Sequence, residues 1–380
     1  MASERLSPDR TLLAAVLGSG GEELRQCMQC ATCSAVCELA DAQHPGPRKE
    51  MLWAQWGLRG RLMGDPDLWL CHQCNDCTRR CPRGARPGDV MAALRRECVL
   101  HYATPRFFGR WVNRPWGLAV LALLSTALLL SAAALWQSSG LAGKELSLAG
   151  PRTVFPFWTE LPHWLLGSFF TALVVLDVMV LALGARRFWR DMSVADPLPA
   201  EPKAGLLRAL GRILWHDDFG LCSASKARRT HHLLVVYGML ALWLVSLWAV
   251  TARWNPLLDG LVYPFGFWNT WKVMANLAGL AVTLGLALML AERWRSPDSA
   301  GATRFSDVTL LGLLLFIVLT GFASEVLHFL RVEPLRYGAY LLHLVSIVVL
   351  LWTLPYTKLA HVVYRTLAVI HAGRTGRGQR

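Results

Sequence analysis

Residues 343–361 read HLVSIVVLLWTLPYTKLAH, an apolar stretch with a histidine at each end. In a helix of 3.6 residues per turn, two residues five whole turns apart leave the same face, and His343 and His361 have that spacing. A rise of 1.5 Å per residue puts their rings roughly 27 Å apart along the axis, close to the thickness of a hydrocarbon core. The stretch predicts one continuous membrane-crossing helix with an imidazole near each edge. An interfacial pair without partners is the plain reading, and a column of two metal centres is the sharper one.

Composition favours a membrane setting. Of 380 residues, 54% are hydrophobic and only 17% charged, with 17 tryptophans. Such a content excludes an ordinary soluble enzyme. The fold class expected is mainly α, an N-terminal α-helical diferredoxin-like domain followed by a six-helix transmembrane bundle. The first domain covers 1–110, where RKEMLWAQWGLRGRLM (48–63) reads as helix between two cysteine clusters. The membrane domain covers 111–371, with apolar runs near 117–136, 163–183, 232–250, 272–291, 307–327 and 338–358, and a basic tail fills 372–380. The net charge of +13 invites a nucleic-acid partner, but its placement argues against one. Lys and Arg concentrate in 184–230, 291–306 and the C-terminal end, on the side of the cysteine domain. By the positive-inside rule both termini and the cysteines are expected in the cytoplasm of a bacterial inner-membrane protein. The 184–230 loop, with ARRFWRDM at its start, is expected to lie along the inner surface.

Ten cysteines are present, and eight fall in two runs. CMQCATCSAVC supplies Cys27, Cys30, Cys33 and Cys37; CHQCNDCTRRCP supplies Cys71, Cys74, Cys77 and Cys81. The N-terminal segment does not read as a secretory signal, so reduced thiols and metal ligation are expected over disulfides. Zinc sites use four ligands in spaced pairs, and two complete four-cysteine runs overshoot that. The spacing is that of bacterial ferredoxins with two [4Fe–4S] clusters, in which the fourth ligand of each cluster comes from the other run. One cluster is then expected on Cys27, Cys30, Cys33 and Cys81, the other on Cys71, Cys74, Cys77 and Cys37. Glu38 stands where the pattern has proline after the first run. Cys98 and Cys222 fall outside the pattern and read as ordinary small residues.

Polar groups inside lipid are costly and point to function, which singles out the histidines in and near the spans. They sort by depth into an inner set, His232 and His361 with His231 as alternate to His232, and an outer set. The outer set holds His343, with His163 as the favoured partner and His328 as its alternate. Two bis-histidine b haems, one near each face, would use them. His216 and His371 read as surface residues. Asp177, inside the second span, reads either as a proton carrier for a quinone or as a hydrogen-bonded bundle residue.

The stretch PRKEMLWAQWGLRGRLMGDPDLWLCHQCNDCTRRCPRGARPGDVMAALR (47–95) resembles the C subunit of the quinone-interacting membrane-bound oxidoreductase (Qmo) complexes. That polypeptide is similar to a fusion of the heterodisulfide reductase C and E subunits. HLVSIVVLLWTLPYTKLAHVVYRT (343–366) is also similar to the last helix of nitrate reductase gamma subunits, which carries haem-ligating histidines at this separation. In that pattern a second helix supplies two more histidines ten residues apart. Here the equivalent helix starts at His231-His232 and has Ala241 and Leu242 at the second place. The resemblance implies electron exchange between the membrane quinone (menaquinone or ubiquinone) and cytoplasmic flavin/iron–sulfur subunits resembling QmoA and QmoB. Through these it implies a link to adenylylsulfate reductase. A heterodisulfide-reductase-like subunit serving a thiol–disulfide enzyme is the alternative.

Overall fold

A computed structural model describes residues 7–40, 42–139, 163–199, 206–217, 226–254, 266–296, 301–332 and 335–377. The fold is all-helical among these residues. Its N-terminal part contains α1 (Arg10–Gly18), α2 (Arg48–Gln55) and α3 (Pro87–Tyr102), joined by short helical turns that carry the cysteines. Asp9 caps α1 by accepting from the Thr11 and Leu12 amides, and Pro87 opens α3 at a position that needs no amide donor.

Six helices are long and apolar enough to cross a membrane. They are α4 (Pro115–Ser138), α5 (His163–Ala195), α7 (Lys226–Trp254), α8 (Thr270–Arg295), α9 (Phe305–Phe329) and α10 (Leu335–Thr353). The bundle pairs α7 with α8, and α9 packs on both α8 and α10, while α4 and α5 pack against α10. A short helix, α6 (Leu206–Trp215), precedes α7. Leu207, Leu210 and Leu214 are exposed on it while Arg208 and Arg212 alternate with them, as in a helix lying in a membrane interface.

Three features differ from the sequence reading. First, α5 does not stop where the apolar run ends near 183; its 33 residues extend about 50 Å, well beyond a 30 Å hydrocarbon core. Arg186 and Arg187 do not end the helix. Phe188 and Met192, four residues apart, are fully buried against Trp69, Tyr102 and Tyr364 in one core with α1–α3. The stretch ARRFWRDM is thus a helical extension packed on the cysteine-bearing part.

Second, 343–361 is not one continuous helix. α10 ends at Thr353, two 3₁₀ turns cover Leu354–Tyr356 and Lys358–Ala360, and α11 (His361–Thr375) begins at the second histidine. Pro355 removes one helical donor and clashes with the preceding turn, and Thr357 is extended (φ −114°, ψ −174°). The broken segment is held by protein: Asn113 Nδ2 donates to the Tyr356 carbonyl at 2.9 Å, and the Tyr356 hydroxyl donates to the Thr104 carbonyl at 2.8 Å. Irregular backbone at membrane depth requires such partners.

Third, the basic tail is docked as far as Arg377. α11 runs to Thr375, His371 is fully buried against Trp189, and Arg377 pairs with Asp196, Asp65 and Asp67. Neither His371 nor Arg377 is a surface residue.

Candidate redox centres

The two cysteine loops are backbone copies of one another. Gln29 and Ala31 flank Cys30 with φ of 58° and 67°; Gln73 and Asn75 flank Cys74 with 53° and 64°. Left-handed conformations at non-glycine residues are costly and persist where the surroundings over-determine them, commonly at functional sites. They curl each loop so that donors meet sulfur. The Gln73 amide lies 3.4 Å from Cys71 Sγ, the Ala85 amide 3.4 Å from Cys81 Sγ, and Gln29 Nε2 3.4 Å from Cys27 Sγ.

The fold sets Cys81 beside Cys27, and Cys37 beside Cys71, Cys74 and Cys77, close enough for their charges to interact. Burial, reinforced by neighbouring cysteines, pushes the Cys33 thiol up to about 11 and the Cys37 thiol up to about 12. Thiolates in such places need a bound cation to persist. A single zinc ion would draw its sulfurs to about 3.8 Å from one another, given bonds near 2.3 Å. Among the described residues no three cysteine sulfurs lie within 4.8 Å of one another, whereas a cluster of several irons spreads its ligands wider. Cys98 is fully buried in the core and Cys222 lies outside the described residues.

The histidines separate into two levels. His361 opens α11 and His232 lies near the start of α7; their ring centroids are 6.3 Å apart. Two imidazoles on opposite sides of one iron, with metal–nitrogen bonds of about 2 Å, have centroids about 6 Å apart. The geometry fits a bis-histidine haem. His361 Nδ1 donates to the Lys358 carbonyl at 2.6 Å, which makes Nε2 its basic nitrogen. His232 Nδ1 is 2.9 Å from His216 Nε2. His216, read from sequence as a surface residue, follows α6 and is delivered to His232 by that helix. Sequence offered no signal for it, since sixteen residues separate the two rings. His231, the alternate, turns instead to Glu292, 3.5 Å away. A cavity of about 100 Å³ adjoins His361, lined by Tyr356, Arg95, Arg96, Arg304 and Lys358. Its cations suit the carboxylates at a haem edge.

His343 lies inside a candidate span. It is the ninth residue of α10, and its Nδ1 donates to the Ile317 carbonyl at 3.0 Å, midway along α9. Gly321 gives the ring room; a Cβ there would meet His343 Cε1 at 3.1 Å. Lys358 touches α9 at Asp307, so the two histidine levels are ten to fourteen residues apart on α9, roughly 15–21 Å. His328 lies about two turns beyond the His343 contact on the same helix, about 11 Å further. The side chain of His163 lies outside the described residues. Asp177 is buried, and its Oδ2 finds no hydrogen-bond partner among the described residues.

Residues 23–85 match the model of the 4Fe-4S dicluster domain. Two [4Fe–4S] clusters are held by the cysteines of this region. The chain is similar to citrate utilization protein B of Escherichia coli, 27% identical over 314 residues, covering 79% of this chain and 80% of that protein. It is also similar to an Archaeoglobus profundus protein that is itself like the C subunit of heterodisulfide reductase, 42% identical over 85 residues, 22% of this chain and 45% of that one. The C subunit of the H2:CoB-CoM heterodisulfide, ferredoxin reductase of Methanothermobacter marburgensis is 33% identical over 91 residues, 24% and 49% of the two chains. This chain spans about half the length of those heterodisulfide reductase relatives. No solved structure matches. The protein is a membrane-anchored iron–sulfur electron-transfer subunit related to these proteins.

The dicluster region reaches the histidine pair through arginines. Arg365, one turn after His361, donates to the Trp69 carbonyl at 2.8 Å, the Cys71 carbonyl at 3.4 Å and His72 Nδ1 at 2.9 Å. Arg228, one turn before His232, donates to the Gln73 carbonyl at 3.1 Å. Burial, followed by the charges of Arg365 and Arg95, holds the His72 imidazole down at about 2, so it stays neutral and accepts from Arg365.

Proposed function

We propose that this chain passes electrons between the membrane quinone pool, menaquinone or ubiquinone, and a cytoplasmic flavin/iron–sulfur partner, through two b haems and two [4Fe–4S] clusters. The observation that carries the reading is the 6.3 Å His232–His361 pair, joined by Arg365 to the loop bearing Cys71. When bound, a b haem supplies a one-electron centre between a two-electron quinol and the one-electron clusters. His232 and His361 would hold the inner haem, and His343 with His163 the outer one. The first cluster would use Cys27, Cys30, Cys33 and Cys81; the second would use Cys71, Cys74, Cys77 and Cys37.

The protein's own part is positioning. The Lys358 carbonyl fixes the tautomer of His361, and His216 steadies His232. Arg365 ties the rung that bears His361 to the cluster loop. Exposed Met28 and Cys30, beside exposed Arg25, offer the partner its point of access to the first loop.

For the soluble partner, the resemblance to the Qmo protein favours flavin/iron–sulfur subunits like QmoA and QmoB, and through them adenylylsulfate reductase. The relatives named as heterodisulfide reductase subunits support partners of the same general kind. A second reading is favoured by the 314-residue similarity to citrate utilization protein B, a relative that also covers the membrane helices; it places the same relay in citrate use. Purification of the native complex decides between them by the identity of the bound subunits. Absorption spectra of the reduced protein test the haems, and absence of b-type bands would refute that part of the reading. Replacing His361 with alanine is expected to remove the inner haem and to stop a quinol from reducing the clusters.

A further inference from the structure

The two cysteine loops share a backbone but not a charge environment. Around the second loop, Arg95 donates to the Cys71 carbonyl at 3.3 Å, to Cys71 Sγ at 3.8 Å and to Gln73 Oε1 at 3.5 Å. Arg365 reaches the same Cys71 carbonyl from α11. Arg228 touches the loop too, but Glu292 lies 3.2 Å from its guanidinium and offsets its charge. No carboxylate lies within ion-pairing distance of Arg95 among the described residues. The first loop is met instead by neutral amides: Gln29 Nε2 on Cys27 Sγ, and Gln55 Nε2 on the Cys27 carbonyl at 2.9 Å. Arg48 acts on Cys27 and Cys30 only weakly, through space.

We propose that the Cys71–Cys77 loop carries the membrane-side cluster and that Arg95 and Arg365 hold it at a higher reduction potential than the cluster of the first loop. Reduction adds one electron, and so one negative charge, to a cluster. Nearby fixed cations and donors to sulfur stabilise that charge. Exposure of Cys30 works in the opposite sense, because water also stabilises the reduced form of the first cluster. Two guanidiniums on the part-buried Cys71 outweigh it, since charge interactions strengthen away from water. The electron comes from the membrane side, a quinol in the reading above, and the inference rests on that reading for direction only. Its consequence is a relay in which electrons collect at the membrane-side cluster, and the partner must draw them over a step to the exposed one.

The test is a redox titration, followed by electron paramagnetic resonance, of the full chain in detergent with both clusters present and dithionite as reductant. Cys30→Ser perturbs the first loop and so assigns the signals. The Cys71-loop cluster should be reduced first. Arg95→Gln should lower its reduction equilibrium about tenfold, 59 mV for one electron, and move the other cluster by less than half as much. Arg365→Gln should act in the same direction, and Arg95→Lys should restore most of the loss. Equal shifts of both clusters, a larger shift of the first, or no shift with clusters retained would each overturn the proposal. If Arg95→Gln does not assemble, Arg365→Gln carries the same test from a different helix. Missing haem bands in the same samples would refute the haem reading while leaving both cluster potentials measurable.

Discussion

Replacing His216 with alanine tests the inner histidine site most sharply, because it removes a neighbour of a proposed ligand and no ligand. His216 Nε2 lies 2.9 Å from His232 Nδ1, and the two rings are 4.9 Å apart. Loss of the outer partner of a metal-bound imidazole commonly costs 10–100-fold in affinity, about 1.4–2.7 kcal/mol. His232 without that partner is also a less basic ligand, so the haem potential should rise as affinity falls. The His361 side is untouched, since its Nδ1 is held by the Lys358 carbonyl 2.6 Å away. His216→Ala should therefore keep haem at saturation but lose it 10–100 times more readily to an excess of a haem-scavenging apoprotein. His361→Ala should contain no inner haem at all. The measurement is haem per protein and the rate of haem transfer, read by absorption. If His216→Ala loses haem as completely as His361→Ala, then His216 is itself a ligand and the 6.3 Å pair is not the ligand pair. If transfer is unchanged, the contact with His216 has no part in holding the site.

Other expectations follow from close packing and buried charge. At Gly285 an added Cβ would lie 2.8 Å from the backbone oxygen of His231, so Gly285→Ala should push α7 from α8, cost about 1–3 kcal/mol and reduce haem content. Gly312→Ala, with open space around it, is the control and should change neither. Arg377→Ala removes one cation from Asp65, which is 3% exposed, and should lower thermal stability by about 3 kcal/mol in unfolding scans; an unchanged midpoint would show the tail contact to be idle. Glu50 is fully buried beside Lys49 and Asp65, and burial pushes its carboxyl up to about 8. The native state therefore holds this proton more tightly than the unfolded chain does. The stability it contributes is complete below the ordinary carboxylate range and lost as pH rises toward 8. Glu50→Gln should flatten that loss in melts between about pH 5 and 8, and an unaltered slope would refute the assignment.

The sequence alone determined what depends on neighbours along the chain. Two cysteine runs with ferredoxin spacing and six apolar runs fix the cluster loops and the spans, because three of each cluster's four thiolates and all the backbone bonds of a membrane helix lie within one local segment. Local pattern failed where a distant element overrode it. The second apolar run ends near 183, yet Phe188 and Met192 beyond it find a core built from α1–α3 and Tyr364. Pro355 was visible, but the break it makes is stable only because Asn113 donates and Thr104 accepts across more than two hundred residues of chain. His216 beside His232, buried His371 and the Arg365 link to Cys71 involve groups brought together by helix packing, which leaves no periodic trace in either partner's own segment. Composition and spacing thus decide which cofactor chemistry the chain can support. The path between the centres, and the charge that biases it, exist only once the helices have packed.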